Sequence, residues 1–361
     1  MSRDVRLPLL HGSKKALETC GYCPKLCRGS CPVSNVEARE ALIPWAKMSS
    51  AWLDARGDAP ADASIAATSW GCSGCHQCTD FCVHKNPVAD TLYGARAAYR
   101  AVGLSPEPVL ESERRHGLRI AEAGLTLAEL AREPGVRSDA KVALLVGCAY
   151  LRKARAEARA IVRSVIALAG PVRLVPGCCG APLLHAGDRA GFDVAHARMA
   201  EQTRGARSFV VGDPGCALVL RDVGAVPFVR LAADQSAKLA AIPGFGAGAA
   251  VRFHDPCALG RGLSEYEAPR AVLGRALGRK PDEFDAQRAG AECSGGGGML
   301  PVSMPDTSAR IADLRLAAHA DAGGGVLVTA CASSLRRFRA QGTDAVDIAS
   351  VVERSLGLSH D

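Results

Sequence analysis

No stretch of the chain reaches the roughly 18 consecutive apolar residues that a membrane-crossing helix needs, so no integral membrane segment is expected. The opening, Met1 to Leu17, holds only Leu7 to Leu10 as an apolar stretch, too short for the core of a secretory signal. Concentrated positive charge is missing as well. The 44 Lys and Arg against 37 Asp and Glu leave a net +7 that is spread thinly. The densest basic pairs, Arg114-Arg115 and Arg336-Arg337, have Phe338 as their one aromatic neighbour. A nucleic-acid surface needs a basic face concentrated in one place, so no nucleic-acid partner is expected. Nucleotide fingerprints are lacking too: there is no Gly-Lys-Ser/Thr phosphate loop, and no G-x-G-x-x-G opening a helix after a strand. No flavin or NAD is therefore expected on this chain.

What the chain has is cysteine, fifteen in 361 residues. With neither leader nor span the expected location is cytoplasmic, where thiols stay reduced. An odd number of cysteines in a reducing compartment points to metal binding or redox chemistry rather than a disulfide framework.

Eight of the fifteen fall in two tight runs. The second, Cys72-x2-Cys75-x2-Cys78-x3-Cys82, has the spacing of bacterial two-cluster ferredoxins, where three thiolates hold one [4Fe–4S] cube and the fourth cysteine reaches its neighbour. The first, Cys20-x2-Cys23-x3-Cys27-x3-Cys31-Pro32, has one extra residue after its second cysteine but keeps the terminal Cys-Pro. If the exchange of fourth ligands holds, one cluster takes Cys20, Cys23, Cys27 and Cys82, and the other Cys72, Cys75, Cys78 and Cys31. Zinc is the competing reading, since four thiolates also bind it. Its sites usually come as two separated C-x2-C knuckles rather than four cysteines in one short run. His76 and His84, inside and beside the second run, are read as surface or hydrogen-bonding residues.

The remaining seven cysteines lie in an internal repeat. Lys141 to Val146 is a β-rich run ending at Gly147-Cys148, and Val251 to Phe253 is another ending at His254-Asp-Pro-Cys257. A cysteine–glycine turn follows in each half, at Cys178-Cys179-Gly180 and at Cys293-Ser294-Gly295. Second strands follow, Ser208 to Val211 and Gly325 to Thr329, leading to Cys216 and Cys331. Val229 to Ala233 and Val346 to Ser350 close the two halves alike. Strands alternating with helices predict parallel-sheet α/β units, whose ligands sit at the carboxyl ends of the strands. The expected divisions are a dicluster domain over 1–100, a connector over 101–140, one α/β unit over 141–241, and a second over 250–358. A Gly-rich link, Ile242 to Ala249, joins the units.

These residues resemble the CCG-domain iron–sulfur proteins, which include heterodisulfide reductase D-type subunits and the iron–sulfur subunits of glycolate oxidase and anaerobic glycerol-3-phosphate dehydrogenase. The resemblance covers nearly the whole chain. It is carried by Gly147-Cys148, Cys178-Cys179-Gly180 and Asp213-Pro-Gly-Cys216, then by His254-Asp-Pro-Cys257-x-Leu-Gly-Arg261, Tyr266-x-x-Pro269-Arg270, Cys293-Ser-Gly-Gly-Gly-Gly298 and Thr329-Ala-Cys331. It implies an α+β chain, with an α-helical dicluster ferredoxin-like N-terminal domain followed by two repeated α/β CCG units. It also implies a third cluster, of non-cubane type, on Cys148, Cys178, Cys179 and Cys216. Asp213 stands where the family has another cysteine. In the second, degenerate unit Cys257, Cys293 and Cys331 remain as metal candidates, while Ser294 and Ser334 replace cysteines. Glycines 295 to 298 read as backbone that comes close to a cluster. His254 and Asp255, flanking Cys257, are candidates for relaying protons to a substrate.

The resulting expectation is an iron–sulfur electron-transfer subunit of an oxidoreductase. It would relay electrons between a flavoprotein or other redox subunit and a disulfide, quinone or protein acceptor. Two alternatives stand beside it: a self-contained heterodisulfide or thiol–disulfide reductase with the CCG site as its active centre, and a non-enzymatic redox sensor.

Overall fold

The structure, a computed structural model, describes residues 8–58 and 62–358; Met1 to Leu7 of the opening stretch lie outside the described residues. The chain divides into two compact units. One comprises Met1–His116, Pro182–Phe192 and Glu292–Leu314, and the other Gly117–Ala181, Asp193–Ala291 and Arg315–Asp361.

Among its described residues the first unit is built of helices and loops. Helix Pro44–Arg56 starts on a proline, whose missing N–H has no partner to lose at a first turn. It stops at Gly57, which takes the left-handed conformation (φ 71°). Helix Ala63–Trp70 is capped by Asp62, whose Oδ1 accepts the N–H groups of Ser64 at 2.7 Å and Ile65 at 2.9 Å. Helix Val88–Ala101 lays Leu92, Ala95 and Tyr99 against Leu17, Met48, Ala51 and Trp70, all of them buried. Each large apolar side chain so buried contributes about 1.5–3 kcal/mol before the entropy of ordering is counted. The first cysteine run starts at the end of helix Lys14–Gly21 and precedes Pro44–Arg56; the second lies between Ala63–Trp70 and Val88–Ala101, with Cys78 in the short helix Gln77–Phe81.

The second unit holds two parallel sheets. Strands β1 (Val142–Leu145), β2 (Val172–Leu174), β3 (Ser208–Val211) and β4 (Ala225–Pro227) are ordered β2-β1-β3-β4. Strand β1 pairs Val142 with both Val172 and Ser208. Strands β5 (Val251–Phe253), β6 (Val326–Thr329) and β7 (Val346–Asp347) form the second sheet in the order β5-β6-β7. All four residues of β1 are buried, as expected of a parallel strand covered on both faces. The two halves pack reciprocally. Helix Arg155–Ala169, early in the first half, lies on Ile348–Ser355, which ends the second; Phe228–Asp234, ending the first, lies on Glu267–Leu277, early in the second. The carboxyl ends of the strands then carry the loops that matter: Gly147-Cys148 after β1, Cys178-Cys179 after β2, Asp213 after β3, Cys257 after β5 and Cys331 after β6.

Candidate metal centres

In the first unit the eight thiols sort into two sets of four, each drawn from both runs. Cys31, Cys72, Cys75 and Cys78 line one small cavity together with Lys47 and Leu92. Cys20, Cys23, Cys27 and Cys82 line another, which Cys78 also borders. The electrostatics divide the same way. Burial pushes the Cys20 thiol up to about 12; the Asn86 hydrogen bond opposes this, while Cys27, Cys23 and Cys82 add to it. Burial also raises Cys78 well above the usual thiol range, with Cys75, Cys72 and Cys31 adding to it. Among the described residues no three His, Cys, Asp or Glu side chains close on one point as a single-ion site would require.

The two sets have different surroundings. Asn86 Nδ2 donates to Cys20 Sγ at 3.0 Å and to the Ala16 carbonyl at 2.8 Å. Around this set Tyr22, Leu26, Phe81 and Val83 stand exposed. The other set is walled in, with the Gly74 N–H donating to Cys72 Sγ at 3.4 Å. Lys47, only 1% exposed, points its Nζ at Cys31 Sγ at 3.6 Å, and no carboxylate pairs with it among the described residues. Arg96, also fully buried, donates to the carbonyls of Ser69 at 3.0 Å, Cys72 at 2.8 Å, His185 at 2.9 Å and Gly298 at 2.9 Å. The glycine run is used here: Gly298, at φ 60°, lies so close to the Cys72 carbonyl that a Cβ would sit 2.4 Å from that oxygen. Gly297 and Gly298 therefore approach the backbone of the second cysteine run, whereas Gly295 lies against the Ser308 carbonyl. Cys293 belongs to this unit as well, with its Sγ 3.6 Å from Ser73 Oγ.

A buried ammonium costs several kcal/mol unless an opposite charge compensates it, and a neutral thiol does not. Four thiolates outweigh the positive charge of a four-iron, four-sulfide core, so the bound assembly would be anionic. Both the donor set and the otherwise unpaired Lys47 fit a [4Fe–4S] cluster.

In the second unit Cys148, Cys178, Cys179 and Cys216 lie in sequence along the ends of β1, β2 and β3. A hydrogen bond with Cys178, ahead of burial, pushes Cys148 well up, and Cys179 Sγ lies 3.0 Å from Cys216 Sγ. Asp213, buried, caps helix Pro214–Val219 by accepting the Gly215 N–H at 2.9 Å, and its Oδ2 accepts the Ala332 N–H at 3.3 Å. Burial, then Asp213 and later Cys257, raise Cys331. Cys331 thus stands near both Asp213 and Cys257, while Cys293 is grouped with the other unit.

The proton-relay candidates sit in a structural setting. Asp255 accepts from Arg270 Nη1 at 2.8 Å and Nη2 at 2.9 Å, and its Oδ2 also takes the Arg288 N–H at 2.9 Å. Arg270 is completed by Glu283. His254 is buried with Nδ1 unpartnered, edge-on to Phe338 at 4.9 Å, and burial keeps its pKa well below the usual range.

Against known proteins, residues 16–86 match the family described as "4Fe-4S dicluster domain". Residues 142–221 and 251–336 each match the "Cysteine-rich domain" family. The chain belongs to the iron–sulfur proteins that combine these two domain types. It is 33% identical to the D-type subunit of the dihydromethanophenazine:CoB–CoM heterodisulfide reductase of Methanosarcina barkeri over 116 residues, 30% of this chain and 28% of the relative. A probable membrane-anchored ferredoxin of Chromohalobacter salexigens is 48% identical over 66 residues, 18% of this chain and 10% of the relative. A longer match, 23% identical over 310 residues, joins 81% of the chain to 61% of the B-type subunit of the fumarate reductase (CoM/CoB) of Methanothermobacter marburgensis. The chain thus spans well under two thirds of the length of the heterodisulfide reductase subunits it matches. No helix among the described residues is long and apolar enough to cross a membrane.

No motif marks Lys47, Arg96 or Asn86, yet two of them leave a trace in the sequence. Lys47 lies on the buried stripe Pro44, Met48, Ala51, Ala55 of its helix, and Arg96 on the stripe Val88, Leu92, Ala95, Tyr99. A cation in register with core residues marks a buried charge that must find acceptors or a counter-charge.

Proposed function

We propose that the chain is an iron–sulfur electron-transfer subunit of an oxidoreductase, relaying electrons between a flavin-type redox subunit and a disulfide, quinone or protein acceptor. Two [4Fe–4S] clusters are assigned to Cys20, Cys23, Cys27 and Cys82, and to Cys31, Cys72, Cys75 and Cys78. A third is assigned to Cys148, Cys178, Cys179 and Cys216 in the first cysteine-rich domain.

The observation that carries this reading is the sorting of eight thiols into two sets of four, each crossing between runs, with a buried cation beside one set. Such a cluster, when bound, supplies a one-electron couple. The chain's own residues do the rest. Asn86 and the Gly74 N–H hold thiolate ligands by hydrogen bonds, and the helices around Trp70 and Tyr99 keep water from the enclosed set. The reductase subunits among the relatives support a place in a multi-subunit enzyme.

Iron and acid-labile sulfide per chain, measured on protein purified without oxygen, test the reading. About eight of each, two four-iron complements, supports the dicluster assignment, and about twelve adds the third cluster. Zinc with little iron overturns it.

A further inference from the structure

The geometry points to Lys47 as the residue that sets the reduction potential of one cluster alone, the one assigned to Cys31, Cys72, Cys75 and Cys78. The inference rests on that ligand assignment. Lys47 reaches its place from the middle of helix Pro44–Arg56, on the stripe that faces the core, and is 1% exposed. Its Nζ lies 3.6 Å from Cys31 Sγ, and it lines the same cavity as Cys72, Cys75 and Cys78. Water does not reach it to screen that charge, and an unscreened charge in a protein interior acts several times more strongly than one in water.

Reduction adds one negative charge to the cluster. Burial opposes this addition, and a fixed ammonium beside a ligand sulfur favours it, so Lys47 raises the potential at which the electron is accepted. Arg96 is a second buried cation near Cys72, but its guanidinium is spent on four backbone carbonyls. Lys47 is the cation aimed at a sulfur. Among the described residues no Lys or Arg nitrogen is bonded to a sulfur of the other set, whose cavity Lys15 lines; the side chain touching Cys20 is the neutral amide of Asn86. The two clusters of the domain are therefore electrostatically unequal, and Lys47 is the charged side chain that one has at a ligand sulfur.

The experiment is a redox titration, followed by electron paramagnetic resonance, of the full chain purified without oxygen, comparing wild type with Lys47→Met and Lys47→Arg at equal iron content. Lys47→Met is expected to lower one of the two midpoint potentials of the dicluster domain and leave the other in place; Lys47→Arg, which keeps the charge, is expected to stay near wild type. If Lys47→Met does not keep its iron, Lys47→Gln is titrated instead, since its amide keeps a donor without the charge. Iron lost from both neutral variants but kept in Lys47→Arg also supports a charge requirement at this site. Full iron with both potentials unmoved in a neutral variant overturns the inference. A wild-type chain without two reducible clusters would instead overturn the assignment beneath it.

Discussion

Tyr150 Oη donates to Asp347 Oδ2 at 2.8 Å, tying the helix after β1 in one half of the second unit to the end of β7 in the other. Asp347 Oδ1 accepts the Ala349 N–H at 2.9 Å, so the carboxylate also caps helix Ile348–Ser355. Burial pushes this carboxyl up to about 7; the Ala349 and Tyr150 hydrogen bonds oppose the shift, and Glu157 and Asp213 add to it.

The pH dependence follows from the direction of that shift. Below 3.8 the group is protonated in both states. Between there and about 7 the unfolded chain has released its proton while the folded chain holds it, so stability falls as pH rises. An asparagine imitates the protonated form at every pH. Urea midpoints of Asp347→Asn and wild type should therefore be nearest at pH 5 and diverge in the variant's favour by pH 8. A difference independent of pH would contradict this account.

Replacing Arg96 by Met strands four buried carbonyls together and should cost about 3–5 kcal/mol. Lysine should not rescue it, since one ammonium cannot reproduce the planar fork. Urea denaturation midpoints and retained iron measure both variants.

Asn86→Leu removes the amide that donates to Cys20 Sγ at 3.0 Å. It should lower the midpoint potential that Lys47→Met leaves in place, because a hydrogen bond to a ligand sulfur favours the more negative state. If the two substitutions move the same couple, the assignment of residues to clusters is wrong.

Asp255→Asn should lower stability by about 3 kcal/mol, by breaking one side of the buried Asp255–Arg270–Glu283 network. The rate of electron transfer, measured by stopped-flow reduction, should stay within about twofold. A large loss of rate with stability intact would instead support Asp255 as a proton carrier.

Much of this was legible in the sequence where local rules decide. The strands Ser208–Val211 and Val251–Phe253 stand where the β-rich runs placed them, because such runs between turn residues have few other uses. Strand β2, only three residues long and directly following Pro171, is too short to leave a pattern. The stretch read as a connector with one helical piece holds two helices, Glu107–Arg114 and His116–Leu130, broken between Arg114 and His116. Least legible was the grouping of Cys293 and its glycines with the first unit. It depends on Gly297 and Gly298 meeting the backbone of Ser73 and Cys72, and no local pattern encodes a contact across more than two hundred residues. The cysteine spacing announced a pair of clusters; the buried charges that make the two unequal could be read only from helical register.

The crossed ligand sets are the central claim, and one comparison tests them directly: iron per chain, purified without oxygen, in wild type and in the double variant Cys27→Ser/Cys82→Ser. Two ligands of the same cluster are removed, so the variant should hold about four irons fewer than wild type and keep the cluster assigned to Cys31, Cys72, Cys75 and Cys78. Loss of about eight irons would mean that Cys27 and Cys82 serve different clusters, and would contradict the account.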